Sequence, residues 1–256
     1  MMKIDLHTHG KLSKKVEFSL EYFMDMIDKA KENGLDGFAL TEHFNTHRFS
    51  DVYDTLDKEF PYVDDYYEIE GIKVFAGMEV DIGETGHILL IGRREDIFNL
   101  REKLDPYTKK GQFIPFKLLL EEASHYNLLK IGAHPFRKTT PLHHIDHSLL
   151  SQLDAFDLNG KDLYEQGVAA NSEEVFPFAE SLGLPVVGGS DTHQSIQYGC
   201  IVNQFQKECQ TIDELKRNIA EGRYEIVISP NLNEKVAAAK EMKKMLKKSM
   251  VKVTPY

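Results

Sequence analysis

The segment Asp5-Leu6-His7-Thr8-His9-Gly10 constrains this chain more than any other. It closes the first apolar run, residues 2–6, and reads as the end of a short buried strand over 3–7. Side chains alternate faces along a strand, so His7 and His9 point the same way. Two neutral imidazoles on one rigid face make half of a transition-metal site. An exposed His-rich terminus is the competing explanation, because so short a motif is weak by itself. It loses ground because His, Asp and Glu recur at the ends of later strand-like runs.

Those runs follow in order. Ser19 caps a predicted helix over 20–33, with Leu20, Phe23, Met24, Ile27 and Ala30 on one face and Gly34 as its stop. A second strand over 37–43 ends in His43. Residues 44–70 are rich in Asp, Glu, Tyr and Phe around Pro61, and read as an insertion with one or two short helices. It is either a flap over a site or a solvated loop with aromatics packed beneath it. A third strand over 72–82 carries Glu79 and Asp81 near its end. Gly83-Glu84-Thr85-Gly86 is turn chemistry, and residues 87–92 return, which predicts a hairpin over 74–91.

Helices are expected around 94–104 and 116–127, then a strand over 130–134 stopped by Pro135. A helix near 147–152 leads to a strand-like run over 154–158. Another helix starts at or near Ser172 and runs to Leu182, ahead of a strand over 184–188 that leads into Gly189-Ser190-Asp191-Thr192-His193. Thr211 caps a helix reaching Gly222, and 224–228 is a last short strand. From Asn231 on, Lys235, Lys240, Lys243, Lys244, Lys247, Lys248 and Lys252 face only Glu234 and Glu241. That tail reads as a weakly amphipathic, solvated surface helix rather than a nucleic-acid arm.

Strands alternating with helices argue for a mainly parallel α/β sheet or barrel. The 256 residues, 41% apolar and without a linker or repeat, suit one large domain over 1–230 followed by the Lys-rich tail 231–256. A net charge of -10 argues against broad attraction to nucleic acid or membrane. With only Cys200 and Cys209, no apolar leader and no membrane-length run, a cytoplasmic protein is expected.

His7, His9, His43, Glu79, His134, Asp191 and His193 all fall at the C-terminal ends of predicted strands, the catalytic face of such barrels. Packing explains one or two buried histidines or aspartates per domain, not seven. Histidine and carboxylate without thiolate suit Zn, Mn or Fe.

In kind and in order, Asp5-Leu6-His7-Thr8-His9, Thr41-Glu42-His43, Gly77-Met78-Glu79-Val80, Gly86-His87-Ile88-Leu89, Ala133-His134-Pro135-Phe136-Arg137 and Ser190-Asp191-Thr192-His193 resemble the polymerase and histidinol phosphatase (PHP) domain family. The resemblance implies a distorted seven-stranded, TIM-like βα barrel with two or three divalent ions at the strand ends. It implies a first metal on His7, His9, Glu79 and Asp191. The second would take Glu79 as a bridge, His87 and His134, and the third His43 and His193. Asp5 and Glu42 would orient histidines.

The sequence departs from that pattern after the His7/His9 pair. Members with three metals usually carry another ligand there, whereas this chain has Lys11-Leu12-Ser13-Lys14-Lys15. The third position is therefore expected to be short of ligands; Lys14 or Lys15 could place an ammonium there, but the favoured expectation is that both are solvated. His47, His125, His143, His144 and His147 match no motif and read as surface or packing residues, and both cysteines as core.

The expected activity is phosphate-ester hydrolysis by a metal-bridging hydroxide. Arg137 would grip the phosphate, and Asp191 or His193 would relay a proton. The expected partner is a small phosphorylated substrate. The rival readings are a nuclease or nucleotide-end hydrolase on the same centre, histidinol phosphatase, a non-catalytic metal-binding scaffold, and a metal-dependent amidohydrolase. Glu79 as the bridge speaks against the last.

Overall fold

The first apolar run is β1 (Met2–Thr8), in which every residue but Lys3 is buried. In this computed structural model, which describes residues 1–251, β1 lies inside a mixed sheet. Its parallel neighbours are β2 (Gly37–Leu40) and then β5 (Ile72–Asp81). The turn 83–86 is too short for a crossover, so β6 (His87–Gly92) runs back antiparallel, as the hairpin pattern predicts. β7 (Leu128–Ala133) is antiparallel to β6, and β8 (Ala155–Asn159) and β9 (Val186–Gly189) continue in parallel.

On the other side of β1 lie β10 (Ile201–Phe205) and β11 (Tyr224–Ile228), both antiparallel. A small hairpin, β3 (Tyr62–Val63) and β4 (Tyr66–Ile69), pairs onto β5 through β4. The sheet thus holds eleven strands among the described residues, where seven were expected, and it is mixed rather than mainly parallel. Sequence reading missed β10, because Asn203 and Gln204 interrupt a short apolar run. It also missed the β3–β4 hairpin.

The sheet nearly closes on itself. The segment after β9 meets β1, with the Asp191 amide donating to the His7 carbonyl and the His9 amide to the Thr192 carbonyl, both at 2.8 Å. Gly189 permits this approach, since a Cβ there would lie 2.5 Å from the His7 Cβ. One side chain stitches the seam. Asn203 accepts from the Gly188 amide at 2.7 Å and donates to the carbonyls of Gly188 at 2.7 Å and Ile4 at 3.1 Å. Its carboxamide supplies the peptide-like pairing that the neighbouring strands do not.

Helices cover the sheet. α1 (Leu20–Glu32) is capped by Ser19, but it buries Phe23, Met26, Ile27 and Ala30, so Met26 takes the place expected for Met24. α2 (Phe49–Glu59) lies inside the supposed insertion and is no flap. It buries Val52, Tyr53 and Leu56, and the Tyr53 hydroxyl accepts from the Gly77 amide at 2.9 Å. α3 (Arg94–Lys103), α4 (Phe116–Ala123) and the one-turn α5 (His147–Leu150) fall near their expected places.

α6 (Gly160–Gln166) escaped notice because no loop precedes it: Asn159 both ends β8 and caps the helix. α7 (Val168–Ser181) starts four residues before Ser172 and carries Pro177 inside it. α8 (Ile212–Ala220) has the Thr211 cap, closed by Glu214 as a capping box. α9 (Leu232–Val251) is the tail helix, and it packs rather than floats: Leu232, Val236 and Ala239 are buried. Lys252 lies outside the described residues. No helix among the described residues is long and apolar enough to cross a membrane.

The alternation of β5 shows how the core divides. Val74, Ala76, Met78 and Val80 pack with α1, α2, α3, α4, α7 and α9. Phe75, one residue out of step, packs instead with β1, β6, β7 and α8. By the two-residue period of a strand, Glu79 lies on the Phe75 face.

Truncation of the seam residue, Asn203→Ala, removes the three hydrogen bonds that its carboxamide makes to buried backbone groups. Each such loss costs about 1–3 kcal/mol, so the variant should lose roughly 2–4 kcal/mol of stability after partial relaxation. A urea unfolding curve with an unchanged midpoint would show that Asn203 does not hold the seam.

Candidate metal centre

Glu79 sits near the end of β5 and is buried among imidazoles from four other segments. His87 Nδ1 is 2.6 Å from Oε1, and His134 Nε2 is 3.3 Å from the same oxygen. His43 Nδ1 lies 2.7 Å from Oε2. His7 Nε2 and His9 Nε2 each stand 3.6 Å from a Glu79 oxygen. Asp191 adds a second carboxylate, 3.3 Å from His9 Nε2 and 4.0 Å from His7 Nε2.

The folding of the strands explains this gathering. β1 shifts register against β2 between Asp5 and Thr8, an irregularity of the kind that re-aims side chains at active sites. His87 begins β6 rather than ending it, but β6 runs antiparallel, so its start lies with the other strands' ends. His134 and Asp191 both hold positive φ, 35° and 56°. Side chains other than glycine rarely adopt this backbone, and it concentrates at functional sites.

Among the described residues, three groupings of ligand atoms emerge, each within 4.8 Å: His7, His9 and Glu79; Glu79, His87 and His134; and His9, His43 and His193. The last contains His9, which the sequence reading had assigned elsewhere, and so gathers three imidazoles rather than two. No side chain from the 11–15 segment joins it. Lys11 is buried instead, with its ammonium on the His47 carbonyl at 2.5 Å. Lys14 is not merely solvated, for it pairs with Asp81 at 2.7 Å.

Several partners of these groups were invisible in the sequence reading. Asp157 accepts from His7 Nδ1 at 2.8 Å, which turns the Nε2 lone pair toward Glu79 and Asp191. Asp81 lies 3.0 Å from His87 Nε2, leaving Nδ1 facing Glu79. Asp5 and Glu42 bind the backbone that carries these histidines, and Glu42 also lies 3.9 Å from His9 Nδ1. Asp5 accepts from the amides of His7 and Ser190, and Glu42 from those of Lys11 and His43. A usable signal existed for Asp157, because Asp157-Leu158-Asn159 repeats the two-residue spacing of His7 and His9 at another strand end.

Arg137 is placed under Asp191 rather than free. Its guanidinium donates to Asp191 at 2.9 Å, to Asn159 at 2.9 Å and to Asp162 at 2.8 Å. Lys161 holds the other Asp191 oxygen at 2.7 Å and lies 3.4 Å from His193 Nδ1. The histidines outside the motifs stay outside the cluster: His143 stacks on Phe136, and His144 lies 2.8 Å from the Glu84 carbonyl. Cys200 and Cys209 are buried and free.

Electrostatics follow from this packing. Burial opposes charge on Glu79, but His87, His43 and His134 outweigh it and hold its carboxyl well below the usual range. Burial likewise opposes charge on Asp191, and Lys161, Arg137 and His7 overcome it. His9, His43, His134 and His193 are pushed down, chiefly by burial, and so stand as neutral lone-pair donors. His7 and His87 are the exceptions: burial is outweighed at His7 by Asp191, Asp157 and Glu79, which lift it to about 10, and at His87 by Glu79 and Asp81, which lift it to about 9.

The arrangement fits divalent ions. Buried His7 Nε2, both His9 ring nitrogens and Glu79 Oε2 have no hydrogen-bond partner among the described residues. His43 Nδ1, although 2.7 Å from Glu79 Oε2, lacks hydrogen-bond geometry. Orphaned buried atoms of this kind are each unfavourable by about 1–3 kcal/mol. His7 Nε2, His9 Nε2 and the Glu79 carboxylate stand close together, and a cation there would satisfy them jointly, whereas His9 Nδ1 faces Glu42.

The PHP domain profile matches residues 5–230. No curated protein matches the chain in sequence. Among solved structures, PsfC from Pseudomonas syringae PB-5123 is similar over 96% of this chain and 98% of its own, with a TM-score of 0.79 and 20% identity. The lesion-specific endonuclease PfuEndoQ from Pyrococcus furiosus matches 88% of this chain, but only 57% of its own length, at TM-score 0.65 and 22% identity. A structure from Bifidobacterium adolescentis described as a candidate metal-dependent phosphoesterase matches 84% of this chain and 94% of its own, at TM-score 0.52 and 13% identity. At these identities the likeness is one of fold.

Asp157→Asn keeps the volume but replaces the charged acceptor that sets the His7 tautomer by a neutral carboxamide. Loss of such an outer partner typically weakens metal affinity about 10–100-fold, and that drop is expected here with the unfolding midpoint nearly unchanged. Metal titration showing wild-type affinity would remove Asp157 from the centre.

Proposed function

The chain belongs to the PHP domain family, and from that premise we propose that it is a metal-dependent phosphoesterase with a di- or trinuclear centre. The observation that carries this reading is the Glu79 carboxylate with five imidazoles within 3.6 Å. A carboxylate has two oxygens and can serve two cations at once, which a neutral imidazole cannot do.

We assign His7, His9, Glu79 and Asp191 to a first ion, and Glu79, His87 and His134 to a second. His43 and His193 would take a third, and His9, which lies within reach of that grouping too, can serve only one of the first and third ions. Zn, Mn or Fe suits this nitrogen and oxygen set. Such ions, when bound, acidify a water and neutralise charge on phosphoryl oxygens.

The chain's own residues do the rest. Asp157 and Asp81 orient His7 and His87. Arg137 acts through Asp191: its fork is committed to Asp162, Asn159 and Asp191, so it positions that carboxylate. Lys161 sets a cation at the edge where Asp191 and His193 meet. Asp191 or His193 would pass a proton to the leaving oxygen. We place the protein in the cytoplasm, where its two free thiols would stay reduced.

A small phosphorylated compound is the favoured substrate class. Nucleic acid is less favoured, because a chain of net charge -10 repels a polyanion at long range. A silent scaffold is disfavoured by the complete donor set.

The test loads the protein separately with Mn, Zn and Fe and screens phosphomonoesters and phosphodiesters, with elemental analysis on each sample. Glu79→Gln should lose about a hundredfold or more of any hydrolysis, together with bound metal, because it removes the shared ligand. Wild-type turnover by Glu79→Gln would sink the bridging role. Absence of hydrolysis in a fully metal-loaded wild type would sink the activity.

A further inference from the structure

A cleft of about 780 Å³ opens beside the cluster. It shares a wall with the centre: His87 and Asp81 both line it, and so does Thr140, whose hydroxyl is 3.4 Å from His134 Nδ1. Its size suits a small molecule, since ligand pockets commonly span about 300–1,000 Å³. The β5–β6 turn contributes Gly83 and Gly86, and Phe113 and Ile82 give it an apolar side.

Its charge runs against that of the chain. Lys14, Lys15 and Lys110 all line it, and Asp81 is the one acid that does. Asp81 is already occupied by Lys14 at 2.7 Å and by Asn45 at 2.9 Å. The nearby Glu84 is turned away, its oxygens taken by the Phe116 amide. Lys15 and Lys110 are exposed and pair with no carboxylate among the described residues. Two uncompensated ammonium groups therefore face one cleft in a protein of net charge -10.

Building on the phosphoesterase reading, we propose that this cleft receives the leaving group, and that Lys15 and Lys110 select a substrate carrying a second anionic group. The scissile phosphate belongs to the cluster, and the second anion to the two lysines. Thr139 and Thr140 offer hydroxyl donors between them, and Phe113 packs against the carbon frame. The shared chemistry is an anion at a distance from the ester, either carboxylate or phosphate.

Titration calorimetry on the Mn-loaded full chain tests this without requiring turnover. Two matched pairs serve as probes: 3-phosphoglycerate against glycerol 3-phosphate, and fructose 1,6-bisphosphate against fructose 6-phosphate. In at least one pair the doubly anionic member should bind about tenfold more tightly, as two partly exposed ion pairs can supply. Which pair responds tells carboxylate from phosphate. The Lys15→Ala/Lys110→Ala variant should bring that ratio within about twofold, and Lys15→Arg/Lys110→Arg should keep it, because charge rather than fork geometry is at work.

Equal affinities within both pairs, or a preference that survives the alanine variant, would overturn the proposal. Hydrolysis of p-nitrophenyl phosphate by the same samples separates the two readings. Turnover without the preference removes the cleft assignment alone. The preference without turnover removes the phosphoesterase reading and the leaving-group role with it, and keeps only the selection of a second anion by Lys15 and Lys110.

Discussion

A carboxylate buried among histidines is the constraint on which the rest of the structure depends. Glu79 is 2% exposed and would be neutral in an apolar pocket, yet the imidazoles around it keep it charged. The converse also holds. Four of the surrounding histidines are driven toward the neutral form by burial, which leaves lone pairs where a cation would need them. Neither charge nor lone pairs would be stable here singly. Burial is tolerated because the groups compensate one another, and the atoms left over all face inward.

That compensation needs strand ends held to a fraction of an ångström, and the sheet supplies it at its seam. β1 and β9 carry His7 and the approach to Asp191, and they come from opposite ends of the chain. Three devices join them: the missing side chain at Gly189, the Asp5 carboxylate bridging the amides of His7 and Ser190, and the Asn203 carboxamide. All three use short polar groups or no side chain at all, which lets two backbones approach closely. The seam and the site are thus one construction, and a fault in the seam would displace His7 and Asp191 together.

Around the cluster, charge is arranged by side. Arg137 and Lys161 grip Asp191 at one edge, while Lys14 grips Asp81 at the other. Each of these cations meets a carboxylate that itself touches a histidine of the cluster. Lys15 and Lys110 have no such partner, and this difference separates the lysines that build the centre from those that face outward into the cleft.

Local pattern in the chain by itself determined the α/β class, the helix caps at Ser19 and Thr211, the β5–β6 hairpin, and the histidines and acids that end up together. These are readable because strand parity, capping and turn chemistry act over a few residues. Tertiary structure alone decided the rest. The strand count and mixed direction depended on which edges found partners, and β10 was hidden because its Asn203 serves the seam rather than a face. The inner face of α2 in the 44–70 segment became core, with the Tyr53 hydroxyl against the Gly77 backbone. Asp157 became the partner of His7 across 150 positions of chain, and His9 came within reach of two groupings at once. Such contacts join residues far apart in sequence, so no short-range periodicity carries them; only the closing of the sheet brings them into reach.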